Sequence, residues 1–171
     1  MPATNPCDLS IAEASAALRG GSLTSVALTR AHIDRIASRD AKVGAFTHVA
    51  EAEALAAAES ADNELTEGRD RGPLHGIPVA IKDCIDVAGM ATTAATPGLK
   101  DHVVNRTASV VTKLENAGAL VFGKTNMYEL AFGITSNNDH TGPVRNPHDP
   151  SRSAGGSSSG SAAAVAAGLV P

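Results

Sequence analysis

Apolar and polar positions along this chain fall into two textures. Up to about residue 70, apolar residues recur at helical spacing. Ser10-Ile11-Ala12-Glu13 has the form of a capping box, and Leu18 followed by Gly20-Gly21 closes that helix. A second helix is predicted to begin at Ser22 or Thr24. It carries Val26, Ile33 and Ile36 towards a core, with Arg30, His32 and Arg35 spread around them. A short strand is expected over residues 45–49, then an Ala/Glu-rich helix over about 51–64 with a polar, exposed end.

From Gly72 the pattern shortens. Ile77-Pro78-Val79-Ala80-Ile81 is an apolar run bounded by glycine and charge, as a buried strand is. Residues 107–117 predict an amphipathic helix with Val110, Val111 and Leu114 on one side, ended by Gly118. Residues 119–122 read as a second buried strand, and 126–132 as a short helix capped by Asn126. Residues 136–161 are rich in Asn, Gly, Pro and Ser and read as loop, after which 162–167 turn helical and apolar. Alternation of helices and strands predicts an α/β fold with helices covering a sheet. No internal repeat is present.

Composition narrows the class. Of 171 residues, 43% are hydrophobic and 19% charged, the balance of a globular rather than a disordered chain. A net charge of −4, with basic residues scattered, excludes an extended nucleic-acid surface. No apolar stretch is long enough to span a membrane. Met1 to Pro6 lacks the basic-then-apolar form of a signal peptide, and Cys7 and Cys84 are too few for a disulfide framework. A cytoplasmic location is expected.

Three segments carry candidate chemistry. In an extended strand Pro78, Ala80, Lys82 and Cys84 share one face, and Ile77, Val79 and Ile81 the other. Lys82 is then either a charge reaching solvent or an amine held from water so that it serves as a base. Asp83, pointing the other way, does not decide. Gly155-Gly156-Ser157-Ser158-Ser159-Gly160-Ser161 is either a flexible turn or a loop of convergent N–H groups and hydroxyls. The apolar helix behind it would aim its N-terminus at that loop. Residues 118–125 satisfy the phosphate-loop pattern G-x-x-x-x-G-K-T, but the four intervening residues read as strand, so no nucleotide loop is expected. The six histidines and two cysteines show no metal-ligand spacing, and no metal or cofactor is expected. His140 and His148 read as surface residues. Cys84 shares the Lys82 face and is a conceivable nucleophile, or else a small buried thiol.

Four stretches in one order resemble the amidase signature family. They are Gly76-Ile77-Pro78-Val79-Ala80-Ile81-Lys82-Asp83, Gly123-Lys124-Thr125-Asn126-Met127-Tyr128-Glu129-Leu130, the Asn146-Pro147 turn, and the Gly/Ser loop running into residues 162–168. The resemblance implies a mixed sheet covered by helices and a Ser–cis-Ser–Lys triad. In it Lys82 is the lysine and Ser157 the bridging serine, following a cis peptide bond after Gly156. Gly155, Gly156, Ser158 and Met127 are implied as loop support or substrate contacts, and Asn137, Asn138 and the loop to Arg145 as shaping a pocket. Ser159 departs from the pattern, standing where the family usually has a second pair of glycines, a change that alters loop shape without removing a triad member.

The family's nucleophilic serine would fall past Pro171. The 171 residues are therefore expected to be the N-terminal part of a single amidase domain, helical over about 1–70 and motif-bearing over about 71–171, and inactive alone. The function implied is hydrolysis of a small or hydrophobic carboxamide through an acyl-enzyme. Rival expectations are the amidase subunit of a tRNA-dependent amidotransferase and a non-catalytic binding module built on an amidase surface. The partner expected is a small-molecule carboxamide, with no nucleic acid bound directly and no membrane. The oligomeric state stays open, a homo-oligomer included.

Overall fold

The computed structural model describes residues 5–171, so most of the Met1–Pro6 stretch weighed as a leader lies outside the described residues. Helix α1, Ile11–Arg19, opens on the expected capping box. Ser10 Oγ accepts from the Glu13 N–H at 3.3 Å, and Glu13 Oε2 accepts from the Ser10 N–H at 2.8 Å. Helix α2, Ser25–Val43, is capped by Thr24 and ends on Gly44 in the left-handed region at φ 71°. Strand β1, Phe46–Val49, leads into α3, Glu51–Thr66. Strand β2, Pro78–Lys82, is followed by a long connection to α4, Ser109–Asn116, and then β3, Leu120–Thr125. A small hairpin of β4, Arg145–Asn146, and β5, Asp149–Ser153, precedes α5, Ser159–Ala166.

The central sheet is mixed, in the order β1-β3-β2, with β1 antiparallel and β2 parallel to β3. The helices cover it, as an α/β fold requires. Beyond one face α2 and α5 close over Phe122, in a cluster that includes Ile33, Ile36, Ala163 and Ala164. Beyond the other, α4 places Val111 against Ile81 and Val87. Burying a side chain as large as Phe122 contributes roughly 1.5–3 kcal/mol. Among the described residues no helix is long and apolar enough to cross a membrane.

One irregularity sets the arrangement of everything at the sheet's end. Val79 pairs with Val121 but Ala80 pairs with Gly123, so Phe122 is an extra residue in β3. Alternation therefore breaks there. Val121 packs with Ile81, and Lys124 comes to the same side to meet Asp83. Phe122 packs with Ala80, and Thr125 comes to the side of Lys82 to meet α5.

Several expectations are corrected by packing. Residues 126–132 form no α-helix; only Glu129–Ala131 makes a 3-10 turn, with Leu130 and Ala131 at φ 51° and 59°. Asn126 is buried instead of capping, donating to the Gly44 carbonyl and accepting from the Met127 N–H. Val110 is 54% exposed, because α4 rests on Val111 alone of that pair. His32, expected among the peripheral polar residues of α2, is fully buried, its Nδ1 on the Leu169 carbonyl at 3.1 Å. Cys84 is exposed rather than buried, since β2 has ended before it. The 136–161 stretch holds the hairpin, and α5 starts three residues earlier than expected, inside the Ser/Gly loop. Residues 118–125 are strand through most of their length, so the phosphate-loop pattern is without its structure.

Candidate active site

The end of β2 and the turn into α5 meet at a single polar contact. Lys82 Nζ donates to Ser157 Oγ at 2.8 Å, with both residues half-buried. The Gly156–Ser157 peptide bond is cis. Gly156 has no room for a side chain, because a Cβ there would run into the Thr135 carbonyl oxygen. The Ser157 carbonyl accepts from the Tyr128 N–H at 3.0 Å, which ties the serine to the segment after β3.

A second hydroxyl contact lies alongside. Thr125, partnered with Lys82 across the β2–β3 ladder, places its Oγ1 at 2.7 Å from Ser161 Oγ in the first turn of α5. Gly160 lets this turn sit directly on the strand ends: its N–H donates to the Asn126 carbonyl at 2.9 Å, and a Cβ would strike the Ala45 and Asn126 backbones. Two neighbouring strands thus each hold one serine of the 157–161 segment.

The remaining residues implied by resemblance are placed as follows. Gly155 adopts φ 78°, and its N–H donates to Ser153 Oγ. Ser158 is exposed at the N-cap of α5 with no side-chain capping bond. Met127 is fully buried under the loop, its carbonyl accepting from Asn138 Nδ2 at 3.4 Å. Asn138 is buried and also donates to the Ala95 carbonyl, whereas Asn137 is exposed. Ser159 is 1% exposed and its hydroxyl has no hydrogen-bond partner.

Two residues next to this centre were given no role from the sequence. Asp83 and Lys124 are both buried and pair at 3.2 Å on the opposite side of the sheet from Lys82. The available signal was a lysine inside an apolar run, Phe122-Gly123-Lys124, which a buried charge needs a partner to occupy. A cleft between α3 and the 87–90 turn, lined by Glu64, His75 and Leu120 among others, contains neither Lys82 nor Ser157.

With this geometry in place, the likenesses are specific. The Amidase family profile matches residues 27–171, and the chain belongs to this family, the amidase signature enzymes. It is 47% identical over 162 residues to a glutamyl-tRNA(Gln) amidotransferase subunit from Aromatoleum aromaticum, covering 95% of this chain and 33% of that protein. With the subunit of the same name from Anaeromyxobacter dehalogenans it shares 43% over 169 residues, 99% of this chain and 34% of that one. The crystal structure of the peptide amidase from Stenotrophomonas maltophilia superposes with a TM-score of 0.90 at 41% identity, over 95% of this chain and 35% of that one. The chain thus spans about a third of the length of the curated relatives it matches.

Proposed function

We propose that these residues carry the lysine–serine half of a serine-type amidase centre, which cleaves a carboxamide C–N bond to acid plus ammonia or amine. The 2.8 Å contact between Lys82 Nζ and Ser157 Oγ is the observation that carries this reading. Family membership supports the reaction class. The 171 residues would then be the N-terminal part of one amidase domain, helical at first and motif-bearing from about residue 71.

One separation serves proton transfer in both directions. As an ammonium, Lys82 donates to Ser157. As a neutral amine, it accepts the Ser157 hydroxyl hydrogen, and Ser157 Oγ is freed to accept a proton in turn. In the reading proposed, that proton comes from a nucleophilic serine past Pro171, as the resemblance implies. Its oxygen attacks the amide carbonyl, and its proton moves to Ser157 as the Ser157 proton moves to Lys82. When the tetrahedral adduct collapses, the C–N bond breaks and the relay returns a proton to the leaving nitrogen. Water then opens the acyl-enzyme by the same route. Protein side chains and water suffice for every step. Gly155 and Gly156 shape the turn that presents Ser157, Met127 supports it from beneath, and Ser158 stands exposed beside it. The free thiols of Cys7 and Cys84 support a cytoplasmic location.

A second reading has its own observation: relatives at 43% and 47% identity are named as glutamyl-tRNA(Gln) amidotransferase subunits. There the same centre would pass the released nitrogen to an acceptor within a complex. The two part on one assay of the complete enzyme. Ammonia formed from a simple carboxamide alone supports the amidase; release that depends on a charged glutamyl-tRNA and partner subunits supports the amidotransferase. Under either, Lys82→Ala and Ser157→Ala should each abolish most turnover, and near-normal rates in either variant would sink the relay.

A further inference from the structure

We propose that the buried Asp83–Lys124 ion pair is a positioning device that sets Lys82 against Ser157; this rests on the roles proposed above for those two residues. Asp83 follows Lys82 directly and is held on every side. Its N–H donates to the Thr125 carbonyl at 3.1 Å, and its carbonyl accepts from the Ala94 N–H at 2.9 Å. Its carboxylate accepts from the Thr93 N–H and hydroxyl and from Thr47 Oγ1, and pairs with Lys124. One residue therefore joins β1, β2, β3 and the 91–95 segment. The direction in which Lys82 leaves the chain is fixed one peptide away.

Lys124 completes the hold from the other end. Its Nζ donates to the Ala91 carbonyl at 3.1 Å and to Thr92 Oγ1 at 3.3 Å. The 91–95 segment is thereby pinned to β3, with Ala94 and Ala95 in the left-handed region at φ 48° and 54°. From there the connection continues to Ser157. The Ala94 carbonyl accepts from the Leu130 N–H, and two residues earlier the Tyr128 N–H donates to the Ser157 carbonyl. Both members of the 2.8 Å contact are located by the same pair, Lys82 through the Asp83 backbone and Ser157 through the 94–130–128 connection. Stability alone is a poor account of such a pair, since well-packed apolar residues replace buried ion pairs at little or no cost. Geometry is what an apolar replacement does not reproduce.

The experiment reads Lys82 itself and needs no turnover. In the complete enzyme, selectively 13C-labelled lysine gives ε-carbon signals, and those of the five lysines within these 171 residues are assigned by single Lys→Arg substitutions. The charge-neutral double variant Asp83→Asn with Lys124→Met should keep a cooperative unfolding transition. It should lose the Overhauser contact between the Lys82 ε-methylene and the Ser157 β-methylene and shift the Lys82 signal, leaving Lys42, Lys100 and Lys113 in place. Thr93→Val keeps both charges and removes one donor to Asp83; it should move the Lys82 signal the same way by less, and it decides the matter if the double variant does not fold. A Lys82 signal and contact unchanged in both variants overturn the proposal. The underlying contact fails separately, if Ser157→Ala leaves the Lys82 signal where it was.

Discussion

Two lysines reach the end of this sheet on adjacent strands and meet opposite surroundings. Lys124 is fully buried, faces a carboxylate at 3.2 Å and fills its remaining donors with a carbonyl and a hydroxyl. Lys82 is half-buried, and the partner it holds is a serine hydroxyl. A hydroxyl, unlike a carboxylate, can both donate and accept a hydrogen bond, which is the form of contact the proposed relay needs. The same residue type is thus half of a buried ion pair on one face of the sheet and the partner of a hydroxyl on the other. Its neighbours, not its own chemistry, make the difference.

That contrast can be broken by substitution. The largest effect belongs to Lys82→Met or Ser157→Ala in the complete enzyme. Amide turnover should fall by roughly 10²–10⁴-fold, the range of a lost proton-transfer group, while Lys82→Met changes unfolding free energy by less than about 1 kcal/mol. Lys124→Met alone should differ from Lys82→Met in an unfolding experiment. It strands the Asp83 carboxylate in the interior and should cost about 3–5 kcal/mol in urea titrations. If the two lysines gave the same pattern, the contrast would be void.

His32 supplies a third case, a buried base with no carboxylate on it. Burial pushes its pKa down from 6.5 to about 4, the Leu169 carbonyl opposing in part. The unfolded chain therefore binds the extra proton first. Stability is fully present above about pH 6.5 and falls as pH drops towards 4. Urea midpoints should show a loss of about 2 kcal/mol between pH 7 and pH 5. His32→Leu should flatten that slope; an equally steep slope in the variant assigns it to another group. The smallest effect is expected of Thr125→Val, which removes the hydroxyl from Ser161. A loss near 1 kcal/mol is expected from one such bond, measured by thermal unfolding, with Lys82 remaining on Ser157.

Elements with strong local signals were legible. The capping box at Ser10, the β2 run ending on Lys82 and the glycine after α4 each follow from short-range chemistry. The Lys82–Ser157 pairing came from resemblance of ordered motifs, because nothing local joins residues 75 positions apart. Misreadings cluster where long-range packing overrides local pattern. Asn126 has the form of a cap, yet the carbonyl of Gly44 and the hydroxyl of Thr141 claim its side chain and keep it buried. Ser159 looked like loop, yet the close approach that Gly160 permits brings it into the first turn of α5.

By itself the sequence determined the α/β alternation, the strand that carries Lys82 and the glycine pair before Ser157, since each rests on periodicity or on a backbone only glycine fits. Tertiary structure alone decided how the two lysines are used. Strict alternation along β3 gives no reason for Lys124 to share a face with Ile81 and Asp83. The extra residue at Phe122 turns it there, and turns Thr125 to the side of Lys82. A register slip between strands far apart in the chain leaves no mark in either one, because it belongs to their pairing.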